Sequence, residues 1–260
     1  VPKGPMNRLD KICAVRQALK DGRPSIGSWM QIPHASVAEI LGQAGYDWVA
    51  VDLEHGAISV DQLPDLFRAL ELGETLPMAR LAQGNSKDCK QALDAGAGGV
   101  IVPMVESAAQ LEQVRDACRW PPGGIRGVGF SRANLFGKHF DRYAEEAQAP
   151  LLVAMIEHIR AVDHLTEILQ VSGLDAIMIG PYDLSASMGL TAQFQHPHFE
   201  ATMRRIRTIA HEHRISSGLH VVLPDPAVLK TRLAEGYRFI AYSIDAVFLH
   251  RSSAAPAVSE

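Results

Sequence analysis

The chain has 260 residues, 47% of them hydrophobic and 21% charged, with a formal net charge of −4. That length admits one α/β barrel or two small domains, and the absence of any long basic or acidic run argues against nucleic acid or an anionic membrane as partner. Cys13, Cys89 and Cys118 stand apart without CxxC spacing, which gives no thiolate metal site and suits a reducing compartment.

No apolar stretch reaches the ~20 residues that cross a bilayer. The start, VPKGPMNRLDK, lacks the apolar segment of a signal peptide, so a cytoplasmic protein is expected. Residues 1–5 read as an expression leader ahead of a natural Met6, and 251–260 as a fraying tail.

In chain order, strands are expected at 25–30 and 48–53, with an amphipathic helical segment at 36–44 between them. A helix at 60–72, a strand at 77–82, a helix at 86–95, a strand at 98–103 and a helix at 108–119 follow. Residues 120–150, which contain WPPGGIRGVGFSRANLFGKHF, break this spacing. A loop that long either serves function, meets a partner, or packs as a surface excursion. Strands at 151–156, 176–179, 216–221 and 239–243 complete the series, separated by helical segments at 161–171, 198–213 and 226–235. The strands are continuously apolar rather than alternating, as in a parallel sheet covered on both faces. Eight of them with helices between predict a single-domain (β/α)8 TIM barrel over 1–260. An open doubly wound sheet is the alternative, and no GxGxxG follows the first strand to support it.

In such a barrel, reactive groups sit at the carboxyl ends of strands. The second strand, WVAVDLEHG, brings Asp52, Glu54 and His55 to its exit. Asp52 could hydrogen-bond one ring nitrogen of His55 and leave the other as a base; a surface histidine is the plainer alternative. The third strand, LPMARLA, carries Arg80, whose guanidinium needs a carboxylate partner or an oxyanion. The fifth, LLVAMIEHI, exits with Glu157, and the sixth, IGPYDLSASMG, with Asp183. Adjacent strands lie about 4.8 Å apart, so these carboxylates either converge on one hard cation or are unrelated rim acids.

Taken together, GSW (27–29), GYDWVAVDLEH (45–55), MARL (78–81), LDAGAGGVIVPMVESA (93–108), PPGGIRGVG (121–129), the strand ending in Glu157 and IGPYDLSASMG (179–189) resemble the HpcH/HpaI family of class II pyruvate aldolases, over about 27–245. The resemblance implies a metal-dependent aldolase that cleaves a 4-hydroxy-2-oxo acid to pyruvate and an aldehyde. It implies Glu157 and Asp183 as ligands of Mg²⁺, Mn²⁺ or Co²⁺, and His55 as general base acting through water, oriented by Asp52. Arg80 would hold the keto oxygen, and the backbone of Gly180, Pro181 and Tyr182 would receive the pyruvate carboxylate. Asp94 would reach a neighbouring subunit's site, and Trp29 would line the aldehyde side. The family implies a homo-oligomer, a hexamer or trimer of barrels, whose last helix swaps between neighbours.

Three positions depart from the family pattern. Met155 stands where many members have Gln, Tyr182 replaces a small residue, and His220 adds a titratable group to the pocket wall. They point to a different acceptor aldehyde or to tuned carboxylate binding. Two other readings stay open: an acyl-CoA lyase like the citrate lyase β subunit or malyl-CoA lyase, and a catalytically silent barrel that binds a keto acid.

Overall fold

A computed structural model describes residues 6–256; the expected leader at 1–5 and residues 257–260 of the expected tail lie outside the described residues. In chain order the elements are α1 (Arg8–Lys20), β1 (Ser25–Met30), α2 (Ala35–Gly42), β2 (Trp48–Asp52), α3 (Leu63–Leu72), β3 (Leu76–Arg80), α4 (Ser86–Ala95), β4 (Gly99–Val102) and α5 (Ala108–Cys118). Then follow α6 (Phe140–Glu146), β5 (Leu151–Ile156), α7 (Ile159–Asp163), α8 (Leu165–Leu169), β6 (Ala176–Ile179), α9 (Pro181–Ser187), α10 (Pro197–Glu212), β7 (Ser216–Val221), α11 (Pro226–Ala234), β8 (Phe239–Ile244) and α12 (Asp245–Ser252). The eight strands are parallel and close in sequence order into a (β/α)8 barrel.

Two apolar layers hold the barrel. Residues such as Val49, Val51, Val100, Val102, Ile156 and Ile177 face outward against the helices. Trp29, Trp48, Met78, Ile101, Val153, Met155, Met178 and Phe239 fill the inside. Because both faces of every strand are covered, the strands read as unbroken apolar runs.

Helix α1 was absent from the sequence expectation. Ile12, Val15 and Leu19 recur at helical spacing and bury in the same cluster as Trp48, Leu76 and Phe239, closing the floor of the barrel. The segment expected as one helix at 161–171 is two short ones, α7 and α8. Residues 120–150 are not one long loop. A short turn of 3-10 helix (Arg132–Asn134) and α6 pack around a small core of their own, with Trp120 against Phe140 and Tyr143. Ile125, Phe130 and Phe136 stay exposed on its surface. Among the described residues no helix is long and apolar enough to cross a membrane.

The floor depends on a missing side chain. The Trp48 indole stacks on Phe239 with ring centroids 4.3 Å apart and planes within 8°. It lies over Gly27, where an added Cβ would fall 2.1 Å from a ring carbon of Trp48. Gly27→Ala is therefore expected to destabilise the fold by about 2 kcal/mol through overpacking. Urea titration measures this, and an unchanged midpoint would mean that the indole slides without cost.

Candidate active site

Strands β2 and β3 pair with Asp52 opposite Arg80 at their carboxyl ends. Arg80 donates from Nε to Asp52 Oδ1 (2.9 Å) and from Nη2 to Asp52 Oδ2 (2.7 Å), a two-point grip in a buried setting. Its Nη1 lies 2.6 Å from Glu54 Oε2, and the guanidinium packs over the Trp29 ring at 5.3 Å. Burial alone would raise the Asp52 pKa, but the Arg80 hydrogen bonds and charge, with help from Gln31, bring it down from the ordinary 3.8 to about 2. Glu54 goes the other way, raised chiefly by burial.

Asp52 is fully committed by these contacts. Oδ1 also accepts from the main-chain N–H groups of Glu54 and His55, and Oδ2 from Gln31 Nε2. The expected Asp52 contact to the His55 ring is thus replaced by one to the His55 main chain. The reason is register: a guanidinium directly across the ladder takes the carboxylate edge that the imidazole would have needed. His55 itself is exposed at the rim.

Glu157, just past β5, is buried, and its Oε1 accepts from Met104 N–H at 2.6 Å. Met104 holds φ at 49°, a left-handed conformation that is uncommon without glycine and aims this amide. Burial pushes the Glu157 carboxyl up to about 7 despite that hydrogen bond, with the Glu54 and Asp183 carboxylates adding to the rise. Gly180 leaves the acid its space: a Cβ there would fall 2.7 Å from Glu157 Oε2. Asp183 lies in the first turn of α9, exposed toward the same opening.

The three residues expected to form a carboxylate-binding turn begin α9 instead. Gly180 is its N-cap, and Pro181 is its first residue. Gly180 N–H is taken by Ile156 O, and proline has none. The first-turn amides of Tyr182 and Asp183 are the ones left for an anion. The Tyr182 side chain is largely exposed and meets Phe194 edge-on at 5.0 Å.

One cavity of about 400 Å³ at the carboxyl ends of the strands is lined by Asp52, His55, Arg80, Glu157, Gly180, Pro181, Tyr182 and Asp183 on its polar side. Trp29, Met155, Met178, His220, Val222 and Ile244 complete its wall. Every site residue expected from the sequence lines it except Asp94. That acid lies near the end of α4, half-buried, with its Oδ1 3.9 Å from Arg126 Nη1.

Sequence reasoning passed over Gln31, which lines the cavity and donates to Asp52. It directly follows β1, so the strand-end rule that found the other residues would have found it. Asp245 was also missed. It is buried at the start of α12 and accepts from the N–H groups of Gln31 and Ile32, tying the end of β1 to α12.

The sequence profile described as HpcH/HpaI aldolase/citrate lyase matches residues 25–251. The chain belongs to the HpcH/HpaI aldolase/citrate lyase family. Among its relatives is the hydroxypyruvate/pyruvate aldolase of Roseobacter denitrificans, 37% identical over 237 residues, covering 90% of this chain and 91% of that protein. A second is the 4-hydroxy-2-oxo-heptane-1,7-dioate aldolase of Salmonella dublin, 33% identical over 244 residues, covering 93% and 92%. A solved HpcH/HpaI aldolase/citrate lyase family protein from Burkholderia cenocepacia superposes with a TM-score of 0.86 at 31% identity, covering 92% of this chain and 96% of that one. This HpcH/HpaI chain is accordingly an enzyme of the lyase class.

The Asp52–Arg80 pair carries a pH signature. A carboxyl whose folded pKa is depressed adds stability above its unfolded pKa, and that stability drains away as pH falls through the folded value. Asp52 should contribute about 2 kcal/mol at pH 5, lost between about pH 4 and pH 2. In chemical denaturation at pH 5 and pH 2, Asp52→Asn should lose correspondingly less than wild type; equal losses would mean that the pair does not depress Asp52.

Proposed function

We propose that the enzyme reversibly cleaves a 4-hydroxy-2-oxo acid to pyruvate and an aldehyde, with a divalent cation held by Glu157 and Asp183. The observation that carries this reading is charge balance in the cavity. Burial raises the pKa of Glu54 and Glu157, and the Asp183 charge adds to both rises, beside one guanidinium already paired with Asp52. A carboxyl pushed to about 7 by burial, with acidic neighbours adding to the rise, is what a site for a dication looks like without positive charge. Among the described residues no three His, Cys, Asp or Glu side chains form a ligand cluster. Two carboxylates suffice for Mg²⁺ or Mn²⁺, which leave other positions to water and substrate. The relatives named as aldolases support the same reaction.

Bound there, the cation would supply Lewis-acid stabilisation of developing enolate charge. The chain's own groups do the rest. Arg80 keeps N–H donors on its terminal nitrogens for the keto oxygen, and Asp52 fixes the guanidinium plane so that those donors point into the cavity. The Tyr182 and Asp183 amides at the positive end of α9 receive the substrate carboxylate. His55 takes the proton from the C4 hydroxyl as the C3–C4 bond breaks. The bonding electrons pass to the keto acid, the aldehyde leaves, and protonation at C3 gives pyruvate. Trp29 and Met155 shape the aldehyde side.

Asp94, outside the cavity of its own barrel, belongs in this reading to a neighbour's site in a homo-oligomer, a hexamer with exchanged last helices. The enzyme is read as cytoplasmic, with Mg²⁺, Mn²⁺ or Co²⁺ as cation.

Pyruvate release from a racemic 4-hydroxy-2-oxo acid should stop with EDTA and return when Mg²⁺ or Mn²⁺ is restored; turnover indifferent to chelation would exclude the metal. His55→Ala should lower kcat by ~10²–10⁴. A loss below about threefold would take the base role from His55.

A further inference from the structure

The cavity wall also holds a polar group with no part in the steps above. His220, on β7, is half-buried with its ring packed on Trp29, centroids 5.2 Å apart. Its Nε2 lies 3.0 Å from the main-chain oxygen of Ser243. A carbonyl only accepts, so Nε2 carries the ring proton. Burial lowers the His220 pKa to about 4, so near neutrality the ring holds no second proton, and Nδ1 is a bare acceptor. Nδ1 has no hydrogen-bond partner among the described residues, on a ring that lines the cavity.

The carbonyl that fixes this tautomer is itself held in place. Ser243 is buried with φ at 59°, and its Oγ donates to Val222 O at 2.9 Å. At this point β8 slips register against β1, between the pairs Gly27–Ala241 and Trp29–Ile244. Such irregularities at a barrel rim re-aim groups beside active sites. Here a left-handed serine turns its carbonyl onto His220.

We propose that His220 determines specificity: Nδ1 accepts a hydrogen bond from a hydroxyl on the aldehyde half of the substrate, so the enzyme's acceptors are hydroxyaldehydes. This rests on the aldolase reading above. The hydroxyl falls to the aldehyde half because His220 packs on Trp29, which shapes the aldehyde side, with ring centroids 5.2 Å apart. The keto acid occupies the Arg80 side. A carboxylated aldehyde fits poorly, since a bare lone pair repels it and Arg80 is the only Arg or Lys among the described residues lining the cavity. An alkyl aldehyde leaves Nδ1 without a donor in the complex.

The test compares kcat/KM for glycolaldehyde and for its near-isostere propanal, each with pyruvate and Mg²⁺, in wild type and in His220→Leu. The ratio between the proteins cancels the intrinsic reactivity and hydration of each aldehyde. His220→Leu should lose the glycolaldehyde preference on the order of 10-fold. His220→Gln, which keeps an N–H for Ser243 and offers a carbonyl oxygen, should restore most of it. Should the leucine variant not fold, His220→Phe makes the same comparison. A preference unchanged in the apolar variant overturns the proposal. So does a drop seen only when hydroxypyruvate replaces pyruvate with propanal as acceptor, because the hydroxyl then belongs to the keto acid. A readout independent of turnover is the ¹⁵N spectrum of the histidine rings at pH 7. It should show His220 neutral and protonated on Nε2, and protonation on Nδ1 overturns the proposal. Exchange of pyruvate methyl protons in D₂O by metal-loaded wild type separates the two claims. Without exchange the aldolase reading fails, and with exchange but no hydroxyl preference only the assignment of His220 fails.

Discussion

A single guanidinium organises the mouth of this barrel. Arg80 is buried, and a buried cation survives only where carboxylates and hydrogen bonds replace water. Asp52 provides two of those bonds from the neighbouring strand, and Glu54 adds a second charge. With its plane fixed in this way, the Arg80 guanidinium lines the cavity. Trp29 then rests on its face, and His220 rests on Trp29. The polar and apolar halves of the site are thus linked through one contact chain that begins at the ladder between β2 and β3.

The second organising constraint is an excess of negative charge. Glu157 has one backbone amide to help it and two acidic neighbours to oppose it. The local backbone is shaped for this acid from two sides, through the left-handed Met104 and through Gly180, whose missing Cβ leaves room for the carboxylate. Two strained or stripped positions around one carboxyl mark a site built for binding rather than for stability. Burial and acidic neighbours disfavour the ionised form of Glu157, and a positive charge joining the site would favour it.

Much of this was legible in the residues. Runs such as Leu151–Ile156 and Ala176–Ile179 are apolar throughout because a strand inside a barrel is covered on both faces, so their bounds could be read directly. Strand ends then located Asp52, Arg80, Glu157 and Asp183. Pairing across the sheet was not legible. That Asp52 grips Arg80 rather than the His55 ring follows from register between two strands, which no local pattern encodes. Helix α9 was read as a turn because Gly180-Pro181 signals one equally well, and only the following hydrogen bonds make a helix of it. Helix α1 was missed because it precedes the first strand, outside the alternation of strands and helices that located the other elements. The tautomer of His220 depends on a left-handed Ser243, a conformation that serine does not advertise.

The Trp48–Phe239 stack has a consequence for how the molecule is made. It joins the second strand to the eighth, so the floor of the barrel is incomplete until β8 has left the ribosome. Until then the inner surface of the early strands, Trp48 and Met78 among it, has no partner and is sticky toward other nascent chains. A polypeptide that stops short of β8 would leave that surface open and be prone to aggregate.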